Sequence, residues 1–331
     1  MRRHAILFGA SIVLLLATIS FFGFDEVVSA IAGSDARLVA SAIAIQIVLL
    51  LIYAYRLKLI AGKYKRFSFR DAFYTSTIGH FADMITPIEK VGGQPVMIMM
   101  IRKKIGTAKA SAIVAMDTMT DILSLILILI VILAGLNFLI PYQLLIPLII
   151  FLLVVLALAL GVLELFLSRH VLGDIVGWFM KRIKLLRKMN AALGVKVFGR
   201  AFRSIIGDRD LKLKAMALSI ITKLLEMLRL WLIFLALGTA LSLPVLLIAW
   251  AFMLLLLFIP WLPGNMGLYE FGSYSALMLF GITSSVAATG VILDRLVSFW
   301  FVLIFSLAVI WASNRRVSEI IRMKKKRSKL R

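Results

Sequence analysis

Three carboxylates, Glu270, Asp294 and Asp121, lie in stretches otherwise made largely of Leu, Ile, Val, Ala and Met. An ionised group in such a setting is costly to bury, so it either binds something, carries a proton or pairs with an opposite charge. These three are the candidate catalytic residues: each could deprotonate a hydroxyl or hold an amine. Around Glu270 runs PGNMGLYE, in which Pro263, Gly264, Asn265, Gly267 and Tyr269 form a broken, turn-like stretch. Proline stops the preceding helix and removes a donor, and glycine admits positive φ and close approach. Arg295 follows Asp294 directly. A second group comprises Pro87, Glu89, Lys90, Arg102 and Asp117. Asp117 and Asp121 are four residues apart and share a helix face. Two like charges on an apolar helix need a cation, a proton or water, and Lys90, Arg102 or a headgroup amine could meet them. For each group the alternative is architectural, an ion pair or a turn that locks the fold.

The remaining chemistry is narrow. Cysteine is absent, which excludes disulfides and thiol catalysis, and the three histidines, His4, His80 and His170, are too scattered for a metal motif. No metal and no cofactor is expected. The formal net charge is +22, but the basic residues flank apolar segments, as topology signals do. No nucleic-acid motif accompanies them, so an anionic lipid surface is the expected partner.

The elements that must position these residues are membrane helices. The 331 residues are 62% apolar and 16% charged, and the charges cluster with long gaps between them. A helix needs roughly 20 apolar residues to cross ~30 Å of hydrocarbon. Spans are expected at about 5–24, 38–55, 107–136, 141–165 and 215–237, the first uncleaved. The segment RLKLIAGKYKRFSFR after the second span is strongly basic, as is 169–214, with twelve Lys or Arg against three Asp, and as is the tail from Arg315. These sides, and both termini, are expected in the cytoplasm of a multi-pass cell-membrane protein. Part of the long basic segment, from Trp178 to Phe198, is amphipathic enough to lie along a leaflet or to serve as a linker helix. In the fifth span the i, i+3 spacings put Lys223–Glu226 and Glu226–Arg229 within reach of one another, either as salt bridges inside the bundle or as the lining of a polar cavity.

Two regions fit no simple span. Residues 72–84 are weakly apolar, then Pro87, Gly92, Gly93 and Pro95 precede PVMIMMI and the basic Arg102-Lys103-Lys104. Each arm is about half a span, and both flanks are basic, which describes a re-entrant pair of half-helices. Residues 243–261, 266–280 and 286–311 form three further apolar blocks, the last carrying Asp294. Either all three cross, or the first two fold back as a hairpin around PGNMGLYE and the last crosses. The hairpin is the favoured reading, because PGNMGLYE is a poor start for an ordinary span. Pro87 to Asp121 is 34 residues and Pro263 to Asp294 is 31. Repeats with broken helices place transport sites near the breaks, and the free N–H groups there attract anions. The chain therefore reads as all-α: a polytopic integral membrane helical bundle with two re-entrant broken-helix hairpins. It forms a single transmembrane domain over 1–331, with repeat-like halves at about 72–136 and 243–311 joined through a basic cytoplasmic segment at 168–214.

With these residues in place, the chain resembles the flippase-like family of the lysylphosphatidylglycerol synthase transmembrane region, as a stand-alone member. The resemblance rests on Gly79, Pro87, Gly92 and Gly93 before the basic arm at Arg102, on Pro263 to Glu270, and on Arg295 in the last span. Where the family often has an arginine–x–x–aspartate element, this chain reads Asp117-Thr118-Met119-Thr120-Asp121, without the arginine. The resemblance implies translocation of a phospholipid or polyprenyl-phosphate-linked lipid. Basic groups would hold the phosphate, and Glu270, Asp294 and Asp121 would hold amine or hydroxyl groups. Two alternatives stand beside it: an integral membrane glycosyltransferase with a dolichyl- or polyprenyl-phosphate sugar donor, and a non-catalytic scaffold docking a membrane-protein partner through the basic cytoplasmic loops.

Overall fold

The structure, a computed structural model, describes residues 24–86, 92–136, 191–257, 259 and 263–313. The expected spans at 5–24 and 141–165 lie outside these, apart from Phe24, as do Pro87, Glu89 and Lys90. Among the described residues the regular secondary structure is helical throughout. In order, α1 is Phe24–Ala32, α2 Ala36–Gly62, α3 Phe69–Met84, α4 Gly93–Ile105, α5 Thr107–Leu136, α6 Ala191–Ile206, α7 Arg209–Ala236, α8 Leu243–Leu256 and α9 Leu268–Leu279. The last helix, α10, is Ser284–Ser313. Three of these, α2, α5 and α10, are long and apolar enough to cross a membrane.

The helix ends follow local chemistry. Asp35, Ser68 and Asp208 each stand just before a helix and accept a backbone N–H from Arg37, Asp71 and Leu211 respectively. These side chains satisfy donors that the first turn leaves free. Helix α2 continues seven residues past the expected end at Tyr55, to Gly62. Arg56 therefore sits within the helix, 3% exposed, and is not part of the surface basic cluster. Helix α7 likewise starts at Arg209, six residues before the expected span.

The frame is an antiparallel pair, α2 and α7, packed along one another. At one end the N–H of Asp35 donates to the carbonyl of Ala236, 2.9 Å away. At the other, Lys63 pairs with Asp208. Helix α5 packs against α7, α4 and α6. Phe198, Ala201, Phe202 and Ile205 of α6 are buried in a cluster with Ile60, Ile101 and Ile113, so the described part of the basic segment packs on the bundle. Outside, the surface is apolar: Val131 is 63% exposed and Ile304 65%. An apolar exterior around buried charge is what lipid as solvent selects.

Between these helices lie four short ones. At 1.5 Å per residue, α3, α4, α8 and α9 reach only ~24, ~20, ~21 and ~18 Å. Helices α3 and α4 form an antiparallel hairpin. Asp83 Oδ1 accepts the N–H of Gly93 at 2.7 Å, Met97 lies over Gly79, and Lys104 pairs with Asp71 at 2.6 Å. A β-carbon on Gly93 would stand 2.4 Å from the carbonyl oxygen of Gly79, so glycine is what lets the arms close. At the open end, partial burial tends to raise the Asp71 carboxyl, but hydrogen bonds from Lys104 and Ser68 outweigh it and hold the group below its ordinary value. Helices α8 and α9 pack together in the second half, and α9 also packs on α10. The end of α3 touches the turn at Pro263–Asn265, where Met84 and Phe81 pack on Met266, Phe299 and Leu303. The two broken regions therefore meet inside the molecule.

Candidate functional site

Where the breaks meet, the bundle forms a partly open cavity of about 210 Å³. Its charged wall has two halves, bridged by α7. In the first half, α2 supplies Arg56, α5 supplies Asp117 and Asp121, and α7 supplies Lys223 and Glu226. Arg56 Nε is 2.7 Å from Asp117 Oδ1, and Nη1 is 3.3 Å from Asp121 Oδ1. The same Nη1 donates to Ser219 Oγ at 2.7 Å. Lys223 Nζ is 3.5 Å from Asp121 Oδ1, and 3.1 and 3.3 Å from the two Glu226 oxygens. The Tyr53 hydroxyl donates to Glu226 Oε1 at 2.6 Å.

The sequence offered Lys90 or Arg102 as counter-ions for the aspartate pair. Among the described residues the partners of the pair are Arg56 and Lys223; Lys90 lies outside the described residues. The arginine missing from the motif in α5 thus comes from α2, one helix away in space and 61 residues away in sequence. Arg102 stands in the last turn of α4 and does not line the cavity.

In the second half, the turn Pro263–Asn265 contains Gly264 at φ 68° and Asn265 at φ 52°, both left-handed. A β-carbon on Gly264 would come 2.6 Å from the Phe299 ring. The chain then turns at Gly267, whose N–H donates to Glu270 Oε2 at 2.5 Å, so Glu270 caps α9. Glu270 Oε1 accepts from Arg295 Nε at 2.7 Å. Arg295 Nη2 donates to the Gly264 carbonyl at 2.6 Å, and its guanidinium lies 3.9 Å from the centroid of the Tyr269 ring. The Tyr269 hydroxyl donates to Asp294 Oδ2 at 2.8 Å. Immediately after Asp294-Arg295 the helix widens into a π-turn at Leu296–Trp300, an irregularity that recurs at functional sites.

Helix α7 closes the ring through Arg229. The expected pair with Glu226 gives way to longer-range partners: Nη1 donates to Gln46 Oε1, and Nη2 is 3.0 Å from Asp294 Oδ1. That second contact is an ion pair without a hydrogen-bonding angle, since Asp294 Oδ1 has no hydrogen-bond donor. Among the described residues two polar atoms near the cavity also have no hydrogen-bond partner: Arg229 Nε, a donor, and Asn265 Oδ1, an acceptor on a side chain that is 3% exposed. Buried groups of this kind are usually partnered.

Of the sequence-derived candidates, Asp121, Asp117, Asp294, Gly264, Asn265, Tyr269 and Arg295 line the cavity. Glu270 stands behind Arg295, and Gly267 acts through its backbone. Arg56, Tyr53 and Gln46 were not recognised as site residues. Arg56 was masked by the neighbouring basic cluster. The other two carry no signal in sequence beyond being polar groups in an apolar span.

A family model described as the lysylphosphatidylglycerol synthase TM region matches residues 4–306. A UPF0104 membrane protein of Methanothermobacter thermautotrophicus is 26% identical over 340 residues, covering 96% of this chain and 97% of that protein. A further match of that name in the same organism is 34% identical over 85 residues, 26% of this chain and 25% of that protein. No solved structure matches. The all-α membrane architecture agrees with the family match over nearly the whole chain, and the protein belongs to the family of the lysylphosphatidylglycerol synthase transmembrane region.

Proposed function

We propose that the protein translocates the polar headgroup of a phosphate-bearing lipid between leaflets, with the headgroup passing through this cavity. The observation that carries the reading is a charged, partly open cavity lined by apolar-surfaced helices at the meeting point of two helix breaks. The site is smaller than the ~300 Å³ and upward of drug-sized pockets, which suits a headgroup whose acyl chains stay in lipid. Arg229 Nε offers a donor to a phosphate oxygen, and Asn265 Oδ1 an acceptor to a hydroxyl or amine. The family is named for the synthase of a phospholipid, lysylphosphatidylglycerol, which supports a phospholipid as the lipid class. A phospholipid or a polyprenyl-phosphate-linked lipid meets the same chemistry.

A transferase would need a free carboxylate as base. Glu270 is held by Arg295 and by its own helix cap, and Asp294 is held by Tyr269 and Arg229, so translocation is the better-supported reading. In it, the protein lies in the cell membrane with its basic ends and both termini in the cytoplasm, and the α3–α4 and α8–α9 pairs are re-entrant.

The test is leaflet accessibility of labelled phospholipid and, separately, labelled polyprenyl-phosphate sugar in proteoliposomes. Wild type should expose the protected leaflet rapidly. Arg229→Gln and Glu270→Gln should slow this by roughly tenfold or more, since each removes a charge-assisted contact. Failure of folded, oriented wild type to move either lipid overturns the proposal for those lipids.

A further inference from the structure

Helix α2 carries a glutamine inside an otherwise apolar run, AIAIQIVLLL. A polar side chain at such a position is costly and is a functional hypothesis by default. Gln46 is 6% exposed and lies on the buried face of α2, with Ala42 one turn before it and Leu49 and Leu50 one turn after. Ala42 clusters with Ile233 of α7. Four residues along each of these antiparallel helices, Gln46 meets Arg229. Its Oε1 accepts from Arg229 Nη1, which is the one hydrogen bond on that guanidinium among the described residues. The other polar contact, Nη2 with Asp294 Oδ1 at 3.0 Å, is an ion pair without a hydrogen-bonding angle, and Nε has no partner. Both Gln46 and Arg229 line the cavity.

We propose that Gln46 is a positioning residue for the headgroup site: its amide oxygen tethers Arg229 between α2 and α10, so that the guanidinium keeps Nε for a phosphate oxygen. The phosphate part of this role rests on the proposed translocation. An arginine presents its donors as a rigid fork that closes on a carboxylate through two nitrogens. Arg229 has carboxylates in two directions, Asp294 across the bundle and Glu226 three residues back on its own helix. Closing on either with Nε and Nη2 would use up the donors and neutralise the charge that a phosphate needs. Gln46 holds Nη1 with a neutral acceptor instead, and the contact with Asp294 stays off-angle and through one nitrogen. A leucine would pack equally well in this helix, but it would release the guanidinium to the carboxylates.

The test follows the Arg229 Nε–H signal by NMR in the whole protein labelled with 15N-arginine, the signal being identified by its loss in Arg229→Lys. In a maltoside detergent without phosphate lipid, wild type should show an Nε–H that is not hydrogen-bonded. In folded Gln46→Leu the signal should stand at a bonded position, because a carboxylate has taken it. Adding phosphatidylglycerol should move the wild-type signal and leave that of Gln46→Leu in place. A signal in Gln46→Leu identical to wild type, or one already bonded in lipid-free wild type, overturns the positioning role. In proteoliposomes, Gln46→Leu should raise the half-saturating fraction of labelled phospholipid by about tenfold or more, the effect expected of a lost bond to a charged group, and change the maximal rate less. An unchanged half-saturating fraction beside a shifted Nε–H also overturns it. Wild type that moves no lipid strikes the translocation reading, while the lipid-free spectra still decide whether Gln46 tethers Arg229.

Discussion

At the scale of single residues, the site is a set of buried charges that hold one another. Arg56 is the clearest case, because it satisfies Asp117, Asp121 and Ser219 from one guanidinium. Removing one partner of a buried pair leaves the other uncompensated, which costs about 3–5 kcal/mol. Arg56→Met should therefore destabilise the protein by about that amount, seen as a lower unfolding midpoint in detergent. Adding Asp117→Asn and Asp121→Asn to it should recover most of the loss, because the stranded charges are then gone. A single variant as stable as wild type would show that water or lipid headgroups already compensate the aspartates.

At the scale of elements, the function depends on helices that stop. Four short helices end where the cavity begins, and their ends are fixed by backbone geometry as much as by side chains. Gly264 is the tightest point. Its left-handed φ disfavours any β-carbon, and the Phe299 ring fills the space one would take. Gly264→Ala should cost about 1–3 kcal/mol and displace the carbonyl that receives Arg295. Thermal unfolding and lipid movement measured on the same preparation check this. Unchanged stability with unchanged movement would mean that the turn relaxes without consequence for Arg295.

At the scale of the whole molecule, the question is how the hairpins sit in the bilayer. The open end of α3–α4, at Asp71 and Lys104, lies on the same side as the end of α2 at Lys63. The start of α2 and the end of α7 lie at the other end. Since the chain has no cysteine, single cysteines report cleanly. In inside-out and right-side-out vesicles, Arg66→Cys and Lys103→Cys should both react with an impermeant thiol reagent from the cytoplasmic face, and Ala240→Cys only from the other. Labelling of Arg66→Cys and Lys103→Cys from opposite faces would mean that the α3–α4 unit crosses and is not re-entrant.

The all-α membrane character is legible in the order of residues alone. Long gaps between charges dictate long apolar helices, and the span expected at 107–136 is the helix observed. The positions of the breaks were also legible, because proline and glycine act locally: PGNMGLYE announces the turn, and Glu270 caps the helix that follows it. Local spacing likewise predicted the Lys223–Glu226 pair. Tertiary structure alone decided which charges meet. Arg56 reads as one more residue of a basic flank until α2 runs on past it and α5 and α7 close around it. Arg229 reads as a partner for Glu226 until packing brings Asp294 and Gln46 closer. The physical reason is that a helix sets neighbours three and four residues apart, whereas an ion pair between helices depends on how whole helices rotate and cross. That is settled by packing the apolar faces and by the low tolerance of the interior for an unpaired charge.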